Sequence, residues 1–75
     1  MKNLIKVERA KKNWTQAVLA EKIGVSRQAV NAIETGKFIP STILALKMAT
    51  AFETKVESIF QLEEIDLANT SLSAQ

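Results

Sequence analysis

Seventy-five residues allow a single domain, and a domain this small buries a modest core that is often reinforced by a metal, disulfides or a partner chain. The chain has no cysteine and no histidine, which excludes disulfides and the histidine-containing zinc sites, agrees with a reducing cytoplasm, and leaves dimerisation as the available reinforcement. The net charge of +2 conceals an asymmetry: residues 1–37 carry eight Lys/Arg and three Glu, net +5, and residues 38–75 carry two Lys and five acids, net −3.

Residues 4–12 read as a first helix, with Asn3 placed to cap it and Asn13 able to take the left-handed conformation that ends helices. Leu4, Ile5, Val7 and Ala10 make no clean stripe, and Glu8 and Arg9 share a face with Ile5, so a charged partner is expected there. Thr15 caps a second helix over 16–23, in which Leu19, Ala20 and Ile23 lie on one side. Gly24 ends it and Val25 fills the turn. Ser26 caps a third helix, whose Val30 and Ile33 point inward before Gly36 stops it. Two helices joined by a short glycine turn form a helix-turn-helix, here over 16–35.

Ser41, after Pro40, caps a fourth helix reaching about residue 52, with Ala45, Met48, Ala49 and Phe52 at helical spacing and Leu44 and Leu46 widening the stripe. A helix apolar nearly all round belongs to the centre of a domain or to an interface. Thr54 and Glu57 have capping-box spacing and predict a short fifth helix, whose Val56, Ile59 and Phe60 close the core. Residues 61–67 suit a dimer-forming extension, and the small polar residues of 68–75 predict a disordered tail. The expectation is one all-α domain over residues 1–67. With no apolar leader and no stretch near the roughly 18 residues of a membrane span, it is expected to be soluble and cytoplasmic.

A basic half attracts polyanions through its field and through counterion release, although on charge alone a solvated lysine-rich surface is the simpler account. The helix-turn-helix is more informative. A recognition helix must sit rigidly against its partner to enter the major groove, and Ala20, Gly24, Val30 and Ile33 are the small, flexible and apolar residues that this requires.

The stretch "TQAVLAEKIGVSRQAVNAIETGKFIPS" resembles the helix-turn-helix core of the phage-repressor-like (Cro- and Xre-type) DNA-binding family. "MKNLIKVERAKKNWTQ", "LALKMATAF" and "VESIF" resemble the flanking helices of its short members, so the likeness covers residues 1–62. It implies a compact five-helix bundle of the lambda-repressor-like type with the helix-turn-helix at helices two and three. It also implies that Gln16 bonds a phosphate and braces the recognition helix, that Arg27, Gln28 and Asn31 face base edges, and that Ser26, Thr35 and Lys37 contact the DNA backbone. The chemistry is compatible, since Arg pairs with guanine O6 and N7, and Gln or Asn with adenine N6 and N7. Arg27 alone also suits a phosphate clamp, and each of these polar residues also suits a solvated helix surface.

The resemblance further implies an ion pair between Arg9 and Glu34 that fixes the first helix to the third. Glu8 and Thr42 replace common leucines, and Glu53 stands at the usual glycine after the fourth helix, departures that bear on local packing. Trp14 reads as a core or lid residue, with base stacking as the alternative. The function expected is a sequence-specific double-stranded-DNA-binding transcriptional regulator, a repressor acting as a homodimer on an inverted repeat. No cofactor, metal, membrane or small-molecule ligand is expected. No enzyme chemistry is expected either, because a chain without His, Cys or Tyr has few ways to build a polarised catalytic cluster. An antitoxin-like or adaptor interaction module is the alternative. A non-specific architectural DNA binder is a further one, but it would not need Gln28 and Asn31.

Overall fold

The computed structural model describes residues 1–73, and side chains through Ala68. Its elements in chain order are β1 (Lys2–Asn3), α1 (Ile5–Lys12), α2 (Gln16–Ile23), α3 (Arg27–Glu34), α4 (Thr42–Phe52), α5 (Val56–Ile59), β2 (Phe60–Gln61) and α6 (Glu64–Ser73). The all-α reading holds in substance, with six helices among the described residues in place of five. One antiparallel pairing is added, Lys2 opposite Gln61 and Asn3 opposite Phe60.

The helix boundaries follow from local chemistry at both ends. The hydroxyls of Thr15, Ser26 and Ser41 accept from the N–H groups of Val18, Ala29 and Leu44, each satisfying one orphan donor of a first turn. At the other ends, Asn13, Gly24, Gly36 and Glu53 take left-handed backbone conformations at φ 58°, 75°, 79° and 57°. The N–H of the residue after each, Trp14, Val25, Lys37 and Thr54, donates back to the carbonyl of Arg9, Ala20, Ala32 and Ala49. Four consecutive helices therefore end in the same six-residue closure.

That closure corrects the capping box. Thr54 is engaged in ending α4, so α5 starts one residue later with Lys55 before it and no side-chain cap. Glu53 is the one member of the four that is neither Gly nor Asn, and it pays a left-handed penalty which its exposed contact with Lys12 (2.9 Å) does little to offset. Glu53→Gly is expected to add about 0.5–1 kcal/mol and raise Tm by a few degrees. A thermal melt with Tm unchanged or lower would show that the left-handed conformation costs this chain nothing.

Ile5, Leu19, Val30, Ile33, Met48 and Ile59 are the largest fully buried side chains, and they bring one residue or more from each of α1 to α5 into a single core. Trp14 covers one edge, its ring stacked on Phe52 at 5.6 Å with Lys22 Nζ 4.7 Å from its centroid. This is the core-or-lid role. Glu8, at the leucine position, is buried and bonded to Lys11 Nζ at 3.0 Å.

α6 runs through Ser73 and so enters the stretch 68–75 for which the sequence predicts a disordered tail; residues 74 and 75 lie outside the described residues. The start of α6 is fixed by charge as well as by the backbone. Asp66 Oδ2 accepts from the Glu63 N–H at 2.8 Å, and the Met1 ammonium lies 2.9 Å from Glu63 and 3.0 Å from Asp66. Hydrogen bonds from the Glu63 N–H and the ammonium hold the Asp66 carboxyl below its ordinary value, and those to Glu63 and Asp66 hold the ammonium above its own. The depressed acid contributes above the usual carboxylate range and is lost as pH falls through its folded pKa. The raised amine contributes below its usual value and is lost as pH rises through its folded pKa. Amide hydrogen exchange at residues 64–67 is therefore expected to be slowest, relative to its intrinsic rate, between about pH 4 and pH 8. Uniform protection outside that window would show that the ion pairs do not hold the helix.

Candidate nucleic-acid interface

The helix-turn-helix is assembled from short-range constraints. Gly24 turns the chain at positive φ, Ser26 caps α3, and Leu19, Ala20 and Ile23 of α2 meet Val30 and Ile33 of α3 in the core. Burying Val30 and Ile33 fixes the rotation of α3 about its axis. Arg27, Gln28, Asn31 and Thr35 then fall on the exposed side, with Ser26 exposed just before the helix and Lys37 just after it.

The far end of α3 is fastened to α1 by charge. Arg9 Nε donates to Glu34 Oε2 at 2.7 Å and Nη2 to Oε1 at 3.0 Å, while Nη1 donates to the Trp14 carbonyl at 2.9 Å. The side chains are only 14% and 8% exposed, so this is a two-pronged pair largely shielded from water. The hydrogen bonds to Glu34 raise the Arg9 pKa further, and the guanidinium stays charged throughout. It also explains why a charge sits beside Ile5 on α1.

A second fastening was missed in the sequence. Asn3 Nδ2 donates to the Ile33 carbonyl at 3.0 Å, with Glu34 O at 3.4 Å, while its Oδ1 accepts from the Ile5 N–H at 3.2 Å. An asparagine ahead of a helix reads as a cap, and half of this amide does serve the start of α1. Nothing local shows that the other half reaches thirty residues ahead to the end of α3.

Gln16, at the start of α2, donates from Nε2 to Asn31 Oδ1 at 3.1 Å, which brings two of the expected contact residues together. Ser26 Oγ accepts from Ala29 N–H, and its own hydroxyl proton remains available to a phosphate. Thr35 differs: its hydroxyl donates back to the Asn31 carbonyl at 2.9 Å, so as placed it offers an acceptor and no proton. Lys37 is exposed and has a backbone tie to Ala32.

Arg27, Gln28 and Asn31 thus line a helix held at both ends, beside the turn of a two-helix unit. A helix-turn-helix family pattern matches residues 5–59. The chain belongs to the helix-turn-helix family of the Cro/C1 type. It is 50% identical over 64 residues to the uncharacterized HTH-type transcriptional regulator YgzD of Bacillus subtilis, covering 85% of this chain and 97% of that protein. It is 53% identical, with the same coverage, to the uncharacterized HTH-type transcriptional regulator MJ0272 of Methanocaldococcus jannaschii. Among solved structures, the restriction-modification controller protein C.AhdI of Aeromonas hydrophila superposes with a TM-score of 0.70 at 30% identity, over 75% of this chain and 85% of that one.

The helix-turn-helix family binds double-stranded DNA, and its members are transcriptional regulators, not enzymes. No helix among the described residues is long and apolar enough to cross a membrane.

Proposed function

We propose that this helix-turn-helix regulator is a repressor that binds an inverted repeat as a homodimer and reads base edges in the major groove with α3. The observation that carries this reading is the exposed row Arg27, Gln28 and Asn31 on a helix immobilised by buried Val30 and Ile33 and by the Arg9–Glu34 pair. A base reader needs side chains placed to a fraction of an ångström, and these supports supply that rigidity. Gln16, Ser26 and Lys37 serve the DNA backbone. Thr35 joins them once its hydroxyl turns away from the helix.

Support for the dimer comes from apolar side chains left at the surface: Ile39, Ile43, Leu46, Leu62, Ile65 and Leu67 are each more than half exposed. A twofold pairing would set the two α3 helices about one DNA turn apart, roughly 34 Å. Sedimentation is expected to show a dimer on DNA; a monomer both free and bound would remove this part of the proposal.

Fluorescence anisotropy with DNA from upstream of the protein's own gene, against scrambled competitor and at several salt concentrations, tests the reading. Binding is expected to resist competitor. Gln28→Ala is expected to cost about 1–3 kcal/mol at the preferred site and little elsewhere, whereas Lys37→Ala weakens all sequences alike. Equal losses on cognate and scrambled DNA for both variants would refute the division between base reading and backbone contact. Weak binding that is equal on both DNAs and vanishes at physiological salt would give priority to an interaction module.

A further inference from the structure

Among the described residues, α6 is the helix that lays no side chain on the core. Glu64, Ile65, Leu67 and Ala68 are exposed, and Asp66 is half-buried against the Met1 ammonium. A ten-residue helix with no apolar face packed is marginal in water. Its surface mixes apolar and acidic groups: Leu62 and Ile65, 64% and 68% exposed, flank Glu63 and Glu64, and residues 56–75 contain no Lys or Arg. α4 presents the complement. Its outward stripe is Ile43, Leu46 and Lys47, the apolar pair 70% and 53% exposed and the lysine the only charge on the helix. Neither Lys47 nor Glu64 has an ion pair or a side-chain hydrogen bond among the described residues.

Resting on the homodimer of the proposed function, we infer that its two protomers exchange α6: the helix of each copy lies on the outward stripe of the other's α4, with Ile65 against Ile43 and Leu46, and Glu64 paired with Lys47 across the interface. The two patches are neighbours on one side of the molecule. Met1, Ile39, Leu46 and Phe60 line a single cleft between them, and the Met1 ammonium is the group that meets Glu63 and Asp66 at the start of α6. Ile65 and Leu46 are both exposed, so α6 does not lie on its own α4. A twofold axis through the cleft makes the exchanged contact twice. Each copy then covers apolar surface that the other leaves open, and an acid without a partner meets a lysine without one. Opposite charges also fix the register of the two helices and disfavour a partner whose surface is merely apolar. None of these residues is assigned to DNA.

The test is sedimentation equilibrium of the free full chain at low ionic strength, with the variants Glu64→Lys, Lys47→Glu and Ile65→Asn. All three positions are exposed, so the substitutions leave the core untouched. The unaltered protein is expected to dimerise without DNA. Glu64→Lys sets lysine against lysine and Lys47→Glu sets glutamate against glutamate, each twice per dimer, and each is expected to raise the dimer Kd by about tenfold or more. Ile65→Asn removes the apolar anchor without changing charge and is expected to weaken the dimer by a similar factor. An equimolar mixture of the two charge variants is the deciding arm. In a mixed dimer the native glutamate faces the native lysine at one contact, and the introduced lysine faces the introduced glutamate at the other. Its Kd is expected to return to within about threefold of the unaltered value.

Recovery in the double variant Lys47→Glu/Glu64→Lys but not in the mixture would place the contact inside one chain and overturn the inference. Recovery in neither would overturn it as well. A dimer that any of the three single variants leaves as tight as before also overturns the exchange, and it leaves standing a homodimer formed through other surfaces. If the free protein is monomeric at every concentration, the exchange is overturned, and sedimentation on DNA then decides whether the homodimer of the proposed function survives.

Discussion

Arg9→Ala is expected to lower the free energy of unfolding by about 3 kcal/mol, a large part of the stability of a domain this small, which is on the order of 5–10 kcal/mol. The loss comes chiefly from what is left behind. Glu34, with a side chain 8% exposed, would keep its charge in a poorly hydrated site after losing both prongs of its partner, and the Trp14 carbonyl would lose its donor. Replacing both members with methionine is expected to recover much of the loss, because the uncompensated charge goes too. Urea denaturation of the single and double variants measures this directly. A loss below about 1 kcal/mol in Arg9→Ala would mean that the pair holds the geometry of α1 and α3 without stabilising it.

Ile33→Ala should cost as much or more, about 3–4 kcal/mol, by deleting most of a side chain that is 1% exposed and leaving a cavity between the recognition helix and the core. The same residue accepts the Asn3 bond through its carbonyl, so collapse of the cavity would also disturb the tie between β1 and α3. At low temperature, where the variant remains folded, DNA binding is expected to survive in weakened form. On warming it should fail together with the fold. A variant that melts like the unaltered protein would show that the site repacks without a void, contrary to its burial.

The parts that were legible in the sequence are those governed by neighbours. Thr15, Ser26 and Ser41 announce three helix starts, Gly24 and Gly36 two helix ends, and α2 and α3 lie where the spacing of Leu19, Ile23, Val30 and Ile33 puts them. The Arg9–Glu34 pair came through the family resemblance, since a charge beside Ile5 demands a partner without naming it. Other features depend on distant groups. Two extended residues, Lys2 and Asn3, have no period to detect, and their pairing with β2 depends on α5 ending beside them. The helix α6 begins where the sequence offers only an extension at 61–67. Its start is secured by Asp66 and the Met1 ammonium, a partner more than sixty residues away along the chain. The bond between Gln16 and Asn31 requires the angle between two helices, which spacing within either one does not contain.

The amino-terminal strap has a consequence for the order in which the molecule is made. Lys2 and Asn3 pair with Gln61 and Phe60, the Leu4 N–H donates to the Ile59 carbonyl at 2.7 Å, and Met1 meets Glu63 and Asp66. Synthesis delivers Met1 to Leu4 well before these partners, which begin at Ile59. The two helices of the helix-turn-helix can pack as soon as they emerge, because their contacts are local, but the strap must wait until residues 59–66 have been made. A nascent chain released before residue 59 would carry its recognition helix intact in sequence, with the first four residues still without their partners from Ile59 onward.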